Sequence, residues 1–360
     1  MRTHRALRSA AVLLAVVVGT AAVTACSSDS SSSPSSDTRS GGGASTSPVT
    51  IRLGYFPNLT HAPALVGIQG GIFKQHLGKN VTLETSSFNA GGDVITAMFS
   101  GSLDASFIGP GPSISGFQKS DGKALRIVAG STSGGAYLVV KDGIKSAADL
   151  KGKTIATPQL GNTQDVALRA WLKSKSLKTD TSGGGDVHIL PQDNSLTLTT
   201  FESGDIDGAW VPEPWATRMI KEGHGKVLVD EKDLWPNGRY VTADVIVSTS
   251  FLDQHPDVVK QLIEGEQASI SYIRTNPAKA QDLAGQAIEK VTGKPIAPNL
   301  VAASFENQTF TLDPIPSSLL KDAKDAATVG LIDSADVKGI YDLKILNQVL
   351  KASGQAAIKA

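Results

Sequence analysis

Hydrophobic positions between residues 50 and 250 fall into short blocks of two kinds. Thr50–Tyr55 alternates, with Ile51, Leu53 and Tyr55 on one side, as a half-buried strand does. It meets the turn pair Pro57-Asn58, and Ala64–His76 then reads as a helix. Val81–Ser86 predicts a second strand, and Asp93–Ser100 a helix with Val94, Ile95 and Met98 on one face. Short buried strands are expected at Ala105–Ile108 and Leu125–Ala129. The cycle repeats as strand Lys153–Ala156, helix Thr163–Lys175, strand Val187–Leu190, helix Leu196–Glu202 and strand Ala209–Val211. Such alternation packs as mainly parallel sheets covered by helices. A literal echo supports two units of similar construction: Ser100-Gly101-Ser102-Leu103-Asp104 returns as Ser203-Gly204-Asp205-Ile206-Asp207. Each copy stops a helix at Gly, then leads through Asp into a strand that runs to Pro110 or Pro212.

The C-terminal third reads as helical, with stretches at His255–Asn276, Ala278–Thr292, Pro298–Gln308, Ser317–Val329 and Leu343–Ala352. The apolar runs Tyr137–Lys141 and Asp244–Ser248 flank the second unit and are read as the two crossovers of a hinge. The expected layout is an α/β fold of two lobes. Residues 49–138 with 243–360 form the first and residues 139–242 the second, with a ligand cleft between them.

The amino terminus sets the compartment. Arg2, Arg5 and Arg8 precede an uncharged apolar run, Ala10–Val23, too short to span a bilayer and of the length of a signal peptide. It ends in Val23-Thr24-Ala25-Cys26, which resembles a bacterial lipoprotein lipobox, with Val23 where leucine is usual. The resemblance implies that residues 1–25 are removed and that Cys26 carries lipid on its sulfur. Residues 26–48 are mostly Ser, Gly, Asp and Thr, a composition that builds no core and serves as a tether. Cys26 is the only cysteine, so the mature body has no disulfide, CxxC site or cysteine nucleophile. The 34 basic and 34 acidic residues balance, and loss of the three leader arginines leaves a net charge of −3. With no basic run, nucleic acid is not an expected partner.

Four motifs carry a family resemblance. Gly54-Tyr55-Phe56-Pro57-Asn58-Leu59-Thr60-His61-Ala62-Pro63-Ala64 resembles the first strand, loop and helix of the binding proteins for aliphatic sulfonates, nitrate and taurine. Ala148-Asp149-Leu150-Lys151-Gly152-Lys153-Thr154-Ile155-Ala156 is similar to their opening of the second lobe. Leu160-Gly161-Asn162-Thr163 starts the next helix, and Asp207-Gly208-Ala209-Trp210-Val211-Pro212-Glu213-Pro214 resembles their "DAWxxWxP" strand end. The resemblance implies the type II periplasmic-binding-protein fold and an extracytoplasmic receptor of an ABC importer. It also implies a permease as partner, a separate ATPase subunit, and a small organic anion, foremost an aliphatic sulfonate, as solute. Nitrate and a thiamine precursor are the alternatives. A monomer is expected, with no cofactor, no metal and no catalytic residue.

An anion that leaves water needs donors to replace its hydration. Helix N-termini supply unpaired N–H groups and a positive dipole end. Three strand-to-helix turns fit that role: Asn58-Leu59-Thr60-His61, Gly109-Pro110-Gly111-Pro112-Ser113 and Gly161-Asn162-Thr163-Gln164. The candidate ligand contacts are therefore Asn58, Thr60, His61, Gly109, Ser113, Asn162, Thr163 and Gln164, each also an ordinary turn or capping residue. Trp210 is read either as an apolar wall for an alkyl stem or as lobe core. Glu213 is read either as the partner of a ligand ammonium group or as a structural partner of Arg218 or of backbone N–H groups. Arg239 is the nearest obvious cation. An enzyme or a sensor on the same fold is the competing class. The five mature histidines show no Ser-His-Asp or metal-ligand spacing, and no Gly-Lys-Ser/Thr follows the glycine turns.

Overall fold

The computed structural model describes residues 48–360. The segment read as a leader, the expected lipidation at Cys26 and all but the last residue of the segment read as a tether lie outside the described residues. In chain order, β1 (Val49–Tyr55), α1 (Ala62–Gln69), α2 (Ile72–His76), β2 (Val81–Ser87), α3 (Gly91–Phe99), β3 (Ala105–Ile108), α4 (Pro110–Lys119) and β4 (Leu125–Gly134) come first. The second group is β5 (Ala136–Val140), β6 (Thr154–Thr157), α5 (Thr163–Ser174), β7 (His188–Pro191), α6 (Asn194–Ser203), β8 (Gly208–Pro212), α7 (Trp215–Lys221) and β9 (Lys226–Asp230). The last comprises β10 (Val241–Ser248), α8 (Thr249–Gln254), α9 (Pro256–Thr275), α10 (Pro277–Thr292), α11 (Pro298–Glu306), β11 (Gln308–Phe310), α12 (Pro316–Thr328) and α13 (Lys344–Ala352).

Two sheets result, β11-β4-β10-β3-β1-β2 and β7-β6-β8-β5-β9, and each with its helices makes one lobe. Both sheets are mixed. Four strands of each run the same way; β10 and β11 oppose them in the first lobe and β5 in the second. The reversed strands β5 and β10 are the first that the chain lays down after passing between lobes. The runs read as crossovers are thus sheet strands themselves. The passages are the Gly134-Gly135 pair and the segment after β9. Gly134 and Gly135 take φ of 85° and 79°, a region that only glycine enters without penalty. Apolar clusters cover both faces of each sheet, so strands such as β3, β5 and β8 are buried throughout.

The sequence echo has one structural meaning in both lobes. Asp104 donates its N–H to Arg52 O and accepts the Arg52 N–H on Oδ2; Asp207 does the same with Thr154. Each aspartate splices its short strand onto a neighbour. The expected helix Ala64–His76 is two helices, because Gly71 takes φ of 68° between α1 and α2. Among the described residues no helix is long and apolar enough to cross a membrane.

Candidate functional site

The carboxyl ends of six strands converge where the lobes meet. Residues just past β1, β2, β3, β6 and β7, and Pro212 at the end of β8, line one small cavity there, as strand ends do in open α/β sheets. It is about 20 Å³ in volume, room for roughly one water-sized occupant. Larger hollows, of about 620 and 960 Å³, are surface features of the first lobe alone. Neither brings the two lobes together. A third, of about 250 Å³, does, but it lies between α5 and α12 and no strand end reaches it. The strand ends single out the smaller cavity as the candidate site.

Seven sequence-derived candidates line it: Asn58, Thr60, His61, Gly109, Asn162, Thr163 and Gln164. Their hydrogen bonds share a direction. Asn58 Oδ1 accepts from Trp215 Nε1 at 2.8 Å, which leaves the amide NH2 unused. Asn162 caps α5, and its Oδ1 accepts from Gln164 N at 3.4 Å. Thr163 Oγ1 accepts from Gly111 N at 3.2 Å, so its O–H is left to give. His61 Nδ1 accepts from Phe56 N at 3.3 Å, which assigns the ring proton to Nε2. The acceptor atom of each of these four groups is engaged inside the protein, and each retains a donor.

The electrostatics agree. Burial lowers the His61 imidazole from its ordinary 6.5 to about 3, and its ring stacks on Phe56 at 4.6 Å. The ring is neutral at any physiological pH. No Lys, Arg, Asp or Glu lines the cavity. Two helix N-termini, one from each lobe, border it instead. Gly109 precedes α4 and Asn162 precedes α5, and both line the cavity. The helix ends nearly touch: a Cβ placed on Gly111 would sit 2.8 Å from Thr163 N. Two positive dipole ends at this distance repel one another, and an anion between them relieves the repulsion.

Other candidates stand elsewhere. Ser113 is buried one turn into α4 and donates its Oγ–H to Gly109 O at 3.0 Å. Trp210 is fully buried in the second lobe, gives its Nε1–H to Glu231 at 2.7 Å and packs edge-on against Trp171. It is core, not a ligand wall. Glu213 is also fully buried. Its carboxylate accepts from Thr217 N and Oγ1, from Ser304 Oγ and from Asn307 Nδ2. Burial raises this carboxyl and those donors oppose the rise, so it has no acceptor capacity left for a ligand ammonium. Arg218 pairs with Glu222 instead, and Arg239 pairs with Asp313 on the surface. The chain's remaining lining residues include Asn89, Asn194 and Thr242, which sequence reasoning missed. The strand-end rule finds Asn89 and Asn194, since each follows a strand by two or three residues. Among the described residues no group of three or more His, Cys, Asp or Glu is placed to hold a metal ion.

Comparison with known proteins agrees with this architecture. A binding protein of Brucella abortus (strain 2308) is 27% identical over 65% of this chain and 70% of its own. The taurine-binding periplasmic protein of Escherichia coli (strain K12) is 30% identical over 55% of this chain and 59% of its own. The crystal structure of the periplasmic nitrate-binding protein of Synechocystis PCC 6803 superposes with a TM-score of 0.68 at 15% identity, over 85% of this chain and 89% of that one. This likeness establishes the two-lobed periplasmic-binding-protein fold. Residues 44–288, which contain every strand-end segment of the cavity, match the NMT1-like family, and the chain belongs to that family.

Proposed function

We propose that this protein is the extracytoplasmic solute receptor of an ABC importer and that its solute is a compact oxyanion. One observation carries the reading: a cation-free cavity lies between two helix N-termini, and four of its side chains retain donors after their acceptors are engaged. Oxygens that only accept suit such a lining, and nitrate or a short sulfonate has them; each is larger than the one water-sized occupant the cavity has room for, so lining side chains must draw back to seat it. Trp210 is not available to cover a long stem, nor Glu213 to bind an ammonium. The sulfonate expectation therefore narrows to the headgroup. Taurine, whose receptor in E. coli is a relative, gains nothing here over ethanesulfonate.

His61 has no carboxylate on its Nδ1 and no nucleophile in its hydrogen bonds, which favours a receptor over an enzyme. In this reading one chain closes its own cleft, a permease receives the solute, and a separate subunit hydrolyses ATP. Cys26 carries the lipid that holds the receptor at the membrane. Cys26→Ala is expected to leave the body folded and release it from the membrane fraction; an unchanged membrane fraction contradicts the anchor.

The solute is tested by thermal shift with nitrate, bicarbonate, methanesulfonate, ethanesulfonate and taurine. At a hundredfold excess over Kd, ligand adds about 2.7 kcal/mol, a rise of several degrees. Ethanesulfonate and taurine should give equal shifts. Nitrate affinity should be the same at pH 5.5 and pH 8, because His61 does not gain a proton in that range. No shift with any anion sinks the reading, and an affinity that climbs toward low pH sinks the neutral-histidine site.

A further inference from the structure

The Asn58 amide has two orientations open to it, and a residue outside the cavity selects one. Trp215 opens α7 in the second lobe and does not line the cavity. Its Nε1–H reaches Asn58 Oδ1 across the lobes at 2.8 Å. An indole nitrogen only donates, so it can meet only the carbonyl end of the amide. The NH2 end is then what Asn58 has left for a solute. Trp215 is itself held: the Arg218 guanidinium lies 5.3 Å above its ring, and Leu59 N donates to Glu213 O at 3.0 Å in the same pair of turns.

We propose that Trp215 is a specificity-determining positioning residue: by fixing the Asn58 amide it keeps that wall of the cavity a donor and favours solutes whose oxygens only accept. The inference rests on the anion reading above. Without the indole N–H, the amide is free to turn and offer Oδ1, which welcomes a solute with its own O–H or N–H. Asn58 and Trp215 sit on different lobes, so this selection exists only when the lobes are together.

Calorimetry on the full mature chain tests it, with nitrate and methanesulfonate as acceptor-only probes and bicarbonate as a donor-bearing one. Trp215→Phe keeps a ring beneath Arg218 and removes the N–H together with the five-membered ring that carries it. It should weaken nitrate and methanesulfonate about tenfold, the worth of one hydrogen bond to a charged group, and bicarbonate much less. In an Asn58→Ala background the same change should have almost no further effect, because Trp215 acts through Asn58. Asn58→Asp retains an acceptor for Trp215 but turns an oxygen toward the solute, and should abolish binding of all three probes. A tenfold loss that persists in the Asn58→Ala background, or an equal loss for both classes of probe, overturns the inference. So does anion binding that survives in Asn58→Asp. Wild-type protein that binds none of the probes overturns the anion reading and this inference with it.

Discussion

Gly111→Ala is expected to weaken anion binding by about 5- to 150-fold while leaving the unliganded protein as stable as before. The added methyl would lie 2.8 Å from Thr163 N and 3.1 Å from both Asn162 C and Thr163 Cα. These are backbone atoms, which cannot rotate aside. Overpacking of this kind costs about 1–3 kcal/mol, and each 1.4 kcal/mol is a factor of ten in affinity. The two partners belong to different lobes, so the clash is relieved by parting the lobes rather than by unfolding either one. Within α4 the change is favourable, since alanine is the better helix former. Calorimetry and thermal denaturation on one preparation separate the two effects. Unchanged affinity would mean that the solute does not require the α4 and α5 ends to meet.

Asp165→Ala should be strongly destabilising to the second lobe. Asp165 and Arg169 are both buried one turn apart on α5 and pair at 2.9 Å. Asp165 also accepts from Gly161 N at 2.9 Å and from Thr157 Oγ1 at 3.0 Å. It therefore ties down the loop between β6 and α5 that carries Asn162 to the cavity. Removing one partner of a buried ion pair strands the other and costs about 3–5 kcal/mol, or about 10 °C in Tm. The double variant Asp165→Leu with Arg169→Met removes both charges and should recover most of that stability. It should not recover affinity, because the loop has still lost its two ties. Recovery of both would assign Asp165 to stability alone.

Much of this architecture was legible because its causes are local. The strands and helices of residues 50–250 announce themselves by period, and the echoed Gly and Asp positions make the same hydrogen bonds in both lobes. The donor turns at Asn58, Gly109 and Asn162 were legible for the same reason: each is a strand end followed by a helix start. Strand direction was not, since nothing in the composition of β5 or β10 records that each is laid down just after a passage between lobes. Side-chain parity failed at β8. All five of its residues are buried, so no alternation shows that Trp210 faces the lobe interior. Glu213 looked like a ligand group because its partners Ser304 and Asn307 lie some 90 residues away on α11 and its C-terminal end. Trp215 escaped notice because its effect on the cavity passes through another side chain.

The central claim is that donors from both lobes and two helix N-termini capture a compact anion without a counter-charge. Isothermal titration of the mature chain with nitrate and with methanesulfonate at neutral pH tests it most directly. The account predicts one anion bound per chain, with binding weakened in Gly111→Ala. Saturable binding of a neutral or cationic solute, with no heat from any of the small oxyanions, would contradict it.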